Sequence, residues 1–330
     1  MDKIINTADN YVNEMLDGLL AWDKRLARDD RAVFLRRSSR PNKVGIVSGG
    51  GSGHFPLFVG YTAPGLIDAC AVGDVFAGPS VDSCMRAIKS ADQGQGILLL
   101  YGNYGGDKMN FDLASEMLEM DGIRCKTLLG TDDIASAGPQ EADKRRGVAG
   151  LVLLYKIAGA LADEGADLDH VHAVTAAAAD HCRTIGVALS SCTLPGRDAP
   201  SFDLAAGEIE MGMGIHGEPG IWRDKLKSAD ALADEMVDRL LADPVAQPTN
   251  RVALMLNTLG ATPVEELLIM YRRISVLLEQ RGITIAVPMI GPFTSSMDMG
   301  GVSLTLMYLD DAREAALRAP SDCRYWNLGS

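Results

Sequence analysis

Apolar residues recur along this chain in two rhythms. Short unbroken runs occur at Val44 to Val47, Gly96 to Tyr101, Arg124 to Leu129, Val252 to Asn257 and Thr284 to Val287. Runs this short, rich in Val, Ile and Leu and without polar alternation, are what strands buried on both faces of a sheet require. Elsewhere the spacing is three and four. From Ile4 to Arg28 the residues Ile5, Val12, Met15, Leu16, Leu19 and Leu20 form one face of an amphipathic helix. Helical patterns also cover Val81 to Ala91, Phe111 to Met120, Val148 to Glu164, Leu168 to Ile185 and Val264 to Arg281. Alternation of the two rhythms predicts an α/β architecture with largely parallel or mixed sheets flanked by helices. The softer stretch from Ser190 to Pro219, with Pro195, Gly196 and Pro200, is expected to join or cross between two sheets.

Composition narrows the function more than the fold. The 330 residues, 47% of them hydrophobic, are enough for two compact domains. A net charge of -13 argues against gripping a nucleic-acid backbone or an anionic membrane, so the ligand is expected to be a small molecule or a protein. Cys70, Cys84, Cys125, Cys182, Cys192 and Cys323 show no CxxC spacing, which leaves no zinc or disulfide framework and fits reduced thiols. The polar start MDKIINTADN and the lack of any run near ~20 apolar residues point to a cytoplasmic protein.

Three glycine-rich segments carry the candidate chemistry. Ser48 to Pro56 follows a predicted strand, where an open sheet places its ligand loops. Its glycines allow close backbone approach, and a tight turn explains them equally well. The segment is not a P-loop, because His54 and Phe55 stand where Lys and Ser or Thr are needed. Tyr101 to Asp107 follows another strand; its Asp107 could reach a ligand or cap the helix after it. Glu210 to Gly220 sets His216 among glycines. The GxGxxG from Gly212 to Gly217 is accidental, since Pro219 would break the helix that such a motif opens. His170, His172 and His181 fall in an alanine-rich helical stretch and are expected at surface or structural positions. A metal site from His54 and His216 has no third ligand nearby in sequence.

Taken together, GGGSGHxP (Gly49 to Pro56), GDVFAxP (Gly73 to Pro79), NYxGDxxNF (Asn103 to Phe111), GIHGEPG (Gly214 to Gly220) and TSSMDMGG (Thr294 to Gly301) resemble the substrate-binding subunit of the dihydroxyacetone kinase family, in family order over nearly the whole chain. The resemblance implies two α/β domains and a homodimer. We place the first domain at 1–185, with 296–330 packing back on it, and the second at 186–295. It also implies that His216 adds to the ketone of a short sugar to give a hemiaminal, that His54 hydrogen-bonds the sugar, and that Asp107 is general base toward the hydroxyl to be phosphorylated. Gly51, Ser52, Gly53, Gly78 and Gly102 complete the implied sugar cradle. An imidazole, with an ordinary pKa of ~6.5, offers a nucleophilic nitrogen near neutrality, and only an aldehyde or ketone can be captured by it.

By the same resemblance no cofactor is bound by this chain. Magnesium with ATP or ADP is expected on a separate all-helical subunit, because the sequence ends at Ser330 without such a domain. Three positions depart from the dihydroxyacetone-specific pattern: Phe55 for Glu, Gly78 for Ser and Gly102 for Lys. The two glycines are expected to free volume near the pocket. The Gly102-Asn103-Tyr104 form and the aromatic Phe55 after the motif histidine resemble the branch that phosphorylates four-carbon ketoses such as erythrulose. The triose reading is the family default, the tetrulose kinase its runner-up, and a non-phosphorylating ketose sensor a third reading.

Overall fold

A computed structural model describes residues 3–328. Six strands, β1 (Leu26–Asp29), β2 (Ala32–Leu35), β3 (Gly45–Ser52), β4 (Ala69–Val75), β5 (Ile97–Gly102) and β6 (Cys125–Gly130), form a sheet of order β1-β2-β4-β3-β5-β6. The four strands from β3 to β6 are parallel, and β1 and β2 add an antiparallel hairpin on the β4 side. From β3 the chain goes to β4 on one side, then through α2 (Val81–Ala91) to β5 on the other. That reversal opens a crevice beyond the carboxyl ends of β3, β4 and β5, where open α/β sheets bind ligands. α3 (Gly105–Glu119) starts in the crevice, directly after β5.

The second sheet is mixed. Its strands are β7 (Cys182–Ala188), β8 (Glu208–Met211), β9 (Trp222–Lys225), β10 (Arg251–Thr258), β11 (Thr284–Gly291) and β12 (Gly301–Tyr308), ordered β11-β10-β12-β7-β8-β9 with only β10 and β11 parallel. Between the sheets runs α4 (Gly150–Glu164), and α5 (Leu168–Ala179) follows it. Every residue of α4 from Leu151 to Ala160 is buried, as in a helix surrounded by protein. One core joins Ile46, Leu98 and Leu100 of the first sheet, Leu154 and Ile157 of α4, and Met255, Met289 and Met307 of the second. The outer face of the first sheet packs on α2 and α3, and that of the second on α6 (Ala229–Ala242) and α7 (Val264–Gln280).

Several expectations shift. The N-terminal helix α1 covers Tyr11–Trp22 only, because Leu26–Asp29 pairs with β2. The apolar run after Leu168 is two elements, since Cys182–Ala188 pairs with β12 and β8. The division at 185/186 therefore falls inside β7. Residues 301–308, expected on the first domain, lie between β10 and β7 in the middle of the second sheet. What returns to the central core is Leu309, α8 (Asp311–Arg318) and the tail, through Ala316, Leu317 and Trp326. The Ser190 to Pro219 stretch runs from β7 through β8 toward β9 within one sheet, and the crossing between sheets is made by α4 and α5.

Candidate active site

The first sheet brings two polar side chains to its crevice and leaves both short of partners. Gly49 to Gly51, expected as a loop, remain in β3 because neighbours lie too close for side chains: a Cβ on Gly49 would be 2.6 Å from the Ala71 carbonyl oxygen, and one on Gly51 2.8 Å from the Ala77 nitrogen. The chain turns at Gly53, whose φ of +100° favours glycine. Ser52 spends its hydroxyl proton on the Gly73 carbonyl at 2.7 Å. His54 is wholly buried and stacks on Phe76 with ring centroids 4.9 Å apart. Its Nδ1 donates to the Ser295 carbonyl at 2.9 Å, which leaves Nε2 as an acceptor, buried and without a partner. Burial, helped by His216, pushes its pKa down to about 3, so His54 is neutral.

Asp107 occupies the first turn of α3, but the helix gets no side-chain cap at Tyr104 and the Asp107 carboxylate does not supply one. Its Oδ1 is buried with no partner. Burial raises its pKa to about 6, with His216 pulling the other way, which suits a base working near neutrality. Gly78 faces this carboxylate: a Cβ there would stand 2.5 Å from Oδ1. Gly102 does not leave the free volume expected of it, because a Cβ would meet the Tyr104 ring at 2.8 Å. Tyr104 has moved into that space, hydrogen-bonds the Gly147 carbonyl at 3.2 Å and turns its ring edge-on to His216, centroids 4.9 Å apart. Phe55 points away from the cluster and packs edge-on against Tyr325 at 5.1 Å.

The second sheet supplies His216 from the loop between β8 and β9. Its ring meets His54 edge-on at 4.7 Å and Phe76 at 5.3 Å between centroids. Its Nδ1 lies 3.0 Å from Glu218 Oε1, and its backbone N–H donates to Glu218 Oε2 at 3.0 Å. Burial pushes the Glu218 pKa up, but the hydrogen bond from His216, helped by a backbone hydrogen bond and the Arg146 guanidinium, outweighs it and brings the value down to about 2. Arg146 Nη1 stands 3.8 Å from Oε2, and its Nε donates to Asp133 at 2.9 Å. The segment from Thr294 to Met299 clamps the two halves together: Ser295 N–H donates to the His54 carbonyl, Met297 N–H to that of Gly53 and Ser296 Oγ to that of Ile215.

His54, Asp107, Gly78 and His216 thus converge on one crevice, with Gly102 behind Tyr104, and Gly51 and Gly53 pack against Ala77 and Phe76. His170 lies on the exposed side of α5, while His172 and His181 hydrogen-bond backbone carbonyls outside the crevice. Sequence reading missed Phe76, Tyr104, Glu218, Arg146 and Ser295. Glu218 was within reach, two residues beyond the histidine in the same motif; Ser295 meets His54 through its backbone carbonyl, and its hydroxyl donates to the Phe55 carbonyl at 2.9 Å. Among the described residues no three His, Cys, Asp or Glu side chains come together as metal ligands, and no helix is long and apolar enough to cross a membrane.

A neutral acceptor imidazole, a buried carboxyl with raised pKa and a second imidazole hydrogen-bonded to a carboxylate thus meet in a crevice between two α/β sheets. The chain belongs to the Dak1 domain family, whose model matches residues 6–325. It is 41% identical over 331 residues to a D-erythrulose kinase of Mycolicibacterium smegmatis, covering 100% of this chain and 57% of that protein. It is 40% identical over 332 residues to the dihydroxyacetone-binding subunit DhaK of a PTS-dependent dihydroxyacetone kinase of Listeria innocua, covering 99% of this chain and 100% of that subunit. Among solved structures, a dihydroxyacetone kinase operon co-activator superposes with a TM-score of 0.89 at 32% identity, covering 97% of this chain and 99% of that one.

Proposed function

We propose that this chain is the substrate-binding part of a ketose kinase: it captures a short ketose covalently on His216 and presents a terminal hydroxyl for phosphorylation. The observation that carries the reading is the pair of orphaned buried atoms, His54 Nε2 and Asp107 Oδ1, beside the His216 ring. An unpaired buried polar atom costs ~1–3 kcal/mol, so the site is built for a ligand that supplies the missing protons. A polyhydroxy ketone does so with its hydroxyls. The His216 imidazole adds to the carbonyl carbon, the C=O π electrons pass to oxygen, and that oxygen takes a proton while the ring loses one. His54 Nε2 accepts from a sugar hydroxyl, and Asp107 removes the proton of the hydroxyl that attacks phosphorus. Glycerol has no electrophilic carbon and is rejected by chemistry instead of fit.

The phosphoryl donor, magnesium with ATP or ADP, belongs to an all-helical partner in this reading. Dihydroxyacetone is the default substrate and erythrulose the runner-up. The glycine at 78 favours the larger sugar, because it leaves Asp107 Oδ1 open; Gly102 does not, since Tyr104 fills its space. The resemblance to a co-activator supports the third reading, a sensor that binds without turnover. Borohydride trapping and intact mass with dihydroxyacetone and each erythrulose enantiomer test capture, and turnover with a nucleotide-loaded helical subunit tests the kinase. An adduct without sugar phosphate leaves the sensor; no adduct with any ketose removes the reading.

A further inference from the structure

The carboxylate of Glu218 does two jobs at once. Oε1 meets His216 Nδ1 at 3.0 Å, while Oε2 accepts the His216 backbone N–H at 3.0 Å and has Arg146 Nη1 at 3.8 Å. Both neighbours of Oε2 are donors, so that position demands an oxygen. Oε1 is also an oxygen, and a carboxylate has no proton to give, so Nδ1 must carry the hydrogen. The lone pair of the neutral ring then sits on Nε2. Arg146 is itself fixed, by Asp133 Oδ2 at 2.9 Å and by the Gly212 carbonyl at 3.0 Å. Gly214 makes the arrangement sterically feasible: a Cβ there would overlap both Glu218 Oε2 and Arg146 Nη1.

We propose that Glu218, held by Arg146 and the His216 amide over the bare face of Gly214, is the positioning residue that sets the His216 tautomer and so makes Nε2 the nucleophile toward the ketose carbonyl. The inference rests on the covalent-capture reading. Addition forms the Nε2–C bond and moves the C=O π electrons to oxygen. The proton that the oxygen gains is balanced by the one that leaves Nδ1 along Glu218 to solvent.

Glu218→Gln separates this from a packing role. The amide oxygen must take the Oε2 position, facing the backbone N–H and Arg146, so the NH2 group faces Nδ1 and donates to it. The hydrogen is forced onto Nε2, and the lone pair needed for attack is gone. Glu218→Ala removes the orienting group and frees both tautomers. Adduct formation is therefore expected to slow by about 10- to 100-fold in Glu218→Ala, the usual cost of losing a ring-orienting partner, and by about 10³- to 10⁴-fold in Glu218→Gln, the cost of a wrong tautomer. The isostere should be worse than the truncation.

Ring 15N spectra of the ligand-free chain read the tautomer directly: Nδ1–H in the parent, Nε2–H in Glu218→Gln and a mixture in Glu218→Ala. Gly214→Ala keeps the glutamate but displaces it, and should resemble Glu218→Ala in both readouts. The proposal is overturned if the three side chains at 218 give one tautomer, or if Glu218→Gln forms adduct as fast as Glu218→Ala. Tautomers that invert as expected in a parent that forms no adduct would uphold the positioning role and overturn ketose capture.

Discussion

The two histidines of the crevice come from different sheets and are kept in opposite conditions. His54, just past β3 of the first sheet, is wholly buried, neutral, and left with an unpaired nitrogen; Asp107, in the first turn of α3 after β5 of that sheet, has an unpaired oxygen. His216, on the mixed second sheet, is partly exposed and engages a carboxylate at 3.0 Å. One side holds hydrogen-bonding capacity in reserve, and the other holds a nucleophile already aimed. In the proposed function a ligand would satisfy the first and be attacked by the second, which divides binding and bond formation between two halves tied together by the 294–299 segment.

The largest effect expected from breaking this division falls on the second sheet. His216→Ala should abolish the ketose adduct seen by intact mass, while circular dichroism and melting stay near those of the parent, because the side chain is at the surface of the crevice and not in a core. An adduct of unchanged yield in this variant would put the nucleophile elsewhere and end the comparison.

Asp107→Asn is the matching break on the first sheet. Adduct formation should persist, since the imidazole is intact, while phosphoryl transfer with a loaded helical subunit drops by about 10²- to 10⁴-fold, the range for loss of a general base. Single-turnover assays separate the two steps. Equal loss of adduct and transfer would mean that the sheets do not divide the work.

How far the sequence discloses this division depends on where the information is stored. The segments bearing His54 and Asp107 stand out because glycines crowd beside polar residues directly after apolar runs, and that bearing His216 because glycines flank it at the end of an alternating stretch. The parallel strands β3 and β5 are equally visible as apolar runs. The antiparallel strands are less so: β12 carries Ser303 and Thr305 inside a buried strand, and Thr305 is satisfied only by Thr184 of β7 at 2.8 Å, a partner 121 residues away. β9 is exposed at three of its four positions and shows no apolar rhythm. α6 went unread, although Ser228 caps it and Leu232, Met236, Val237 and Leu240 lie on one face. The space at Gly102 was misjudged because a missing side chain does not leave a hole when the Tyr104 ring fills it.

A smaller effect, and one that sharpens the contrast without mutation, is pH. Burial raises Asp107 to about 6, and only its ionised form can take a proton. Transfer should therefore fall about tenfold per pH unit below that value and level off above it. His54, pushed down to about 3, stays neutral over this range and adds no second step. A rate profile flat from pH 5 to 8 under conditions where transfer is limiting would remove Asp107 as the base.

The smallest expected change tests why Asp107 is left unpaired. Gly78 carries no side chain beside Oδ1, and a Cβ built there stands 2.5 Å from it, so a small shift would bring a serine hydroxyl within bonding reach. In Gly78→Ser that hydroxyl can donate to the carboxylate, and hydrogen bonds to the charged form favour ionisation. The Asp107 pKa should move down, carrying the midpoint of the rate profile to lower pH. Opposing this, the added atoms exclude water and push the pKa up. A charge-assisted hydrogen bond contributes ~1.5–3 kcal/mol, more than the loss of water around one side of an already buried group, so the downward shift should win. The hydroxyl also occupies the acceptor that the bare glycine left to the sugar. Plateau turnover should thus fall for the ketose with the additional hydroxymethyl group more than for the three-carbon one. A midpoint that rises, or equal losses for both sugars, would mean that Gly78 serves packing against α3 and that the reserve on the first sheet is not tuned to the substrate.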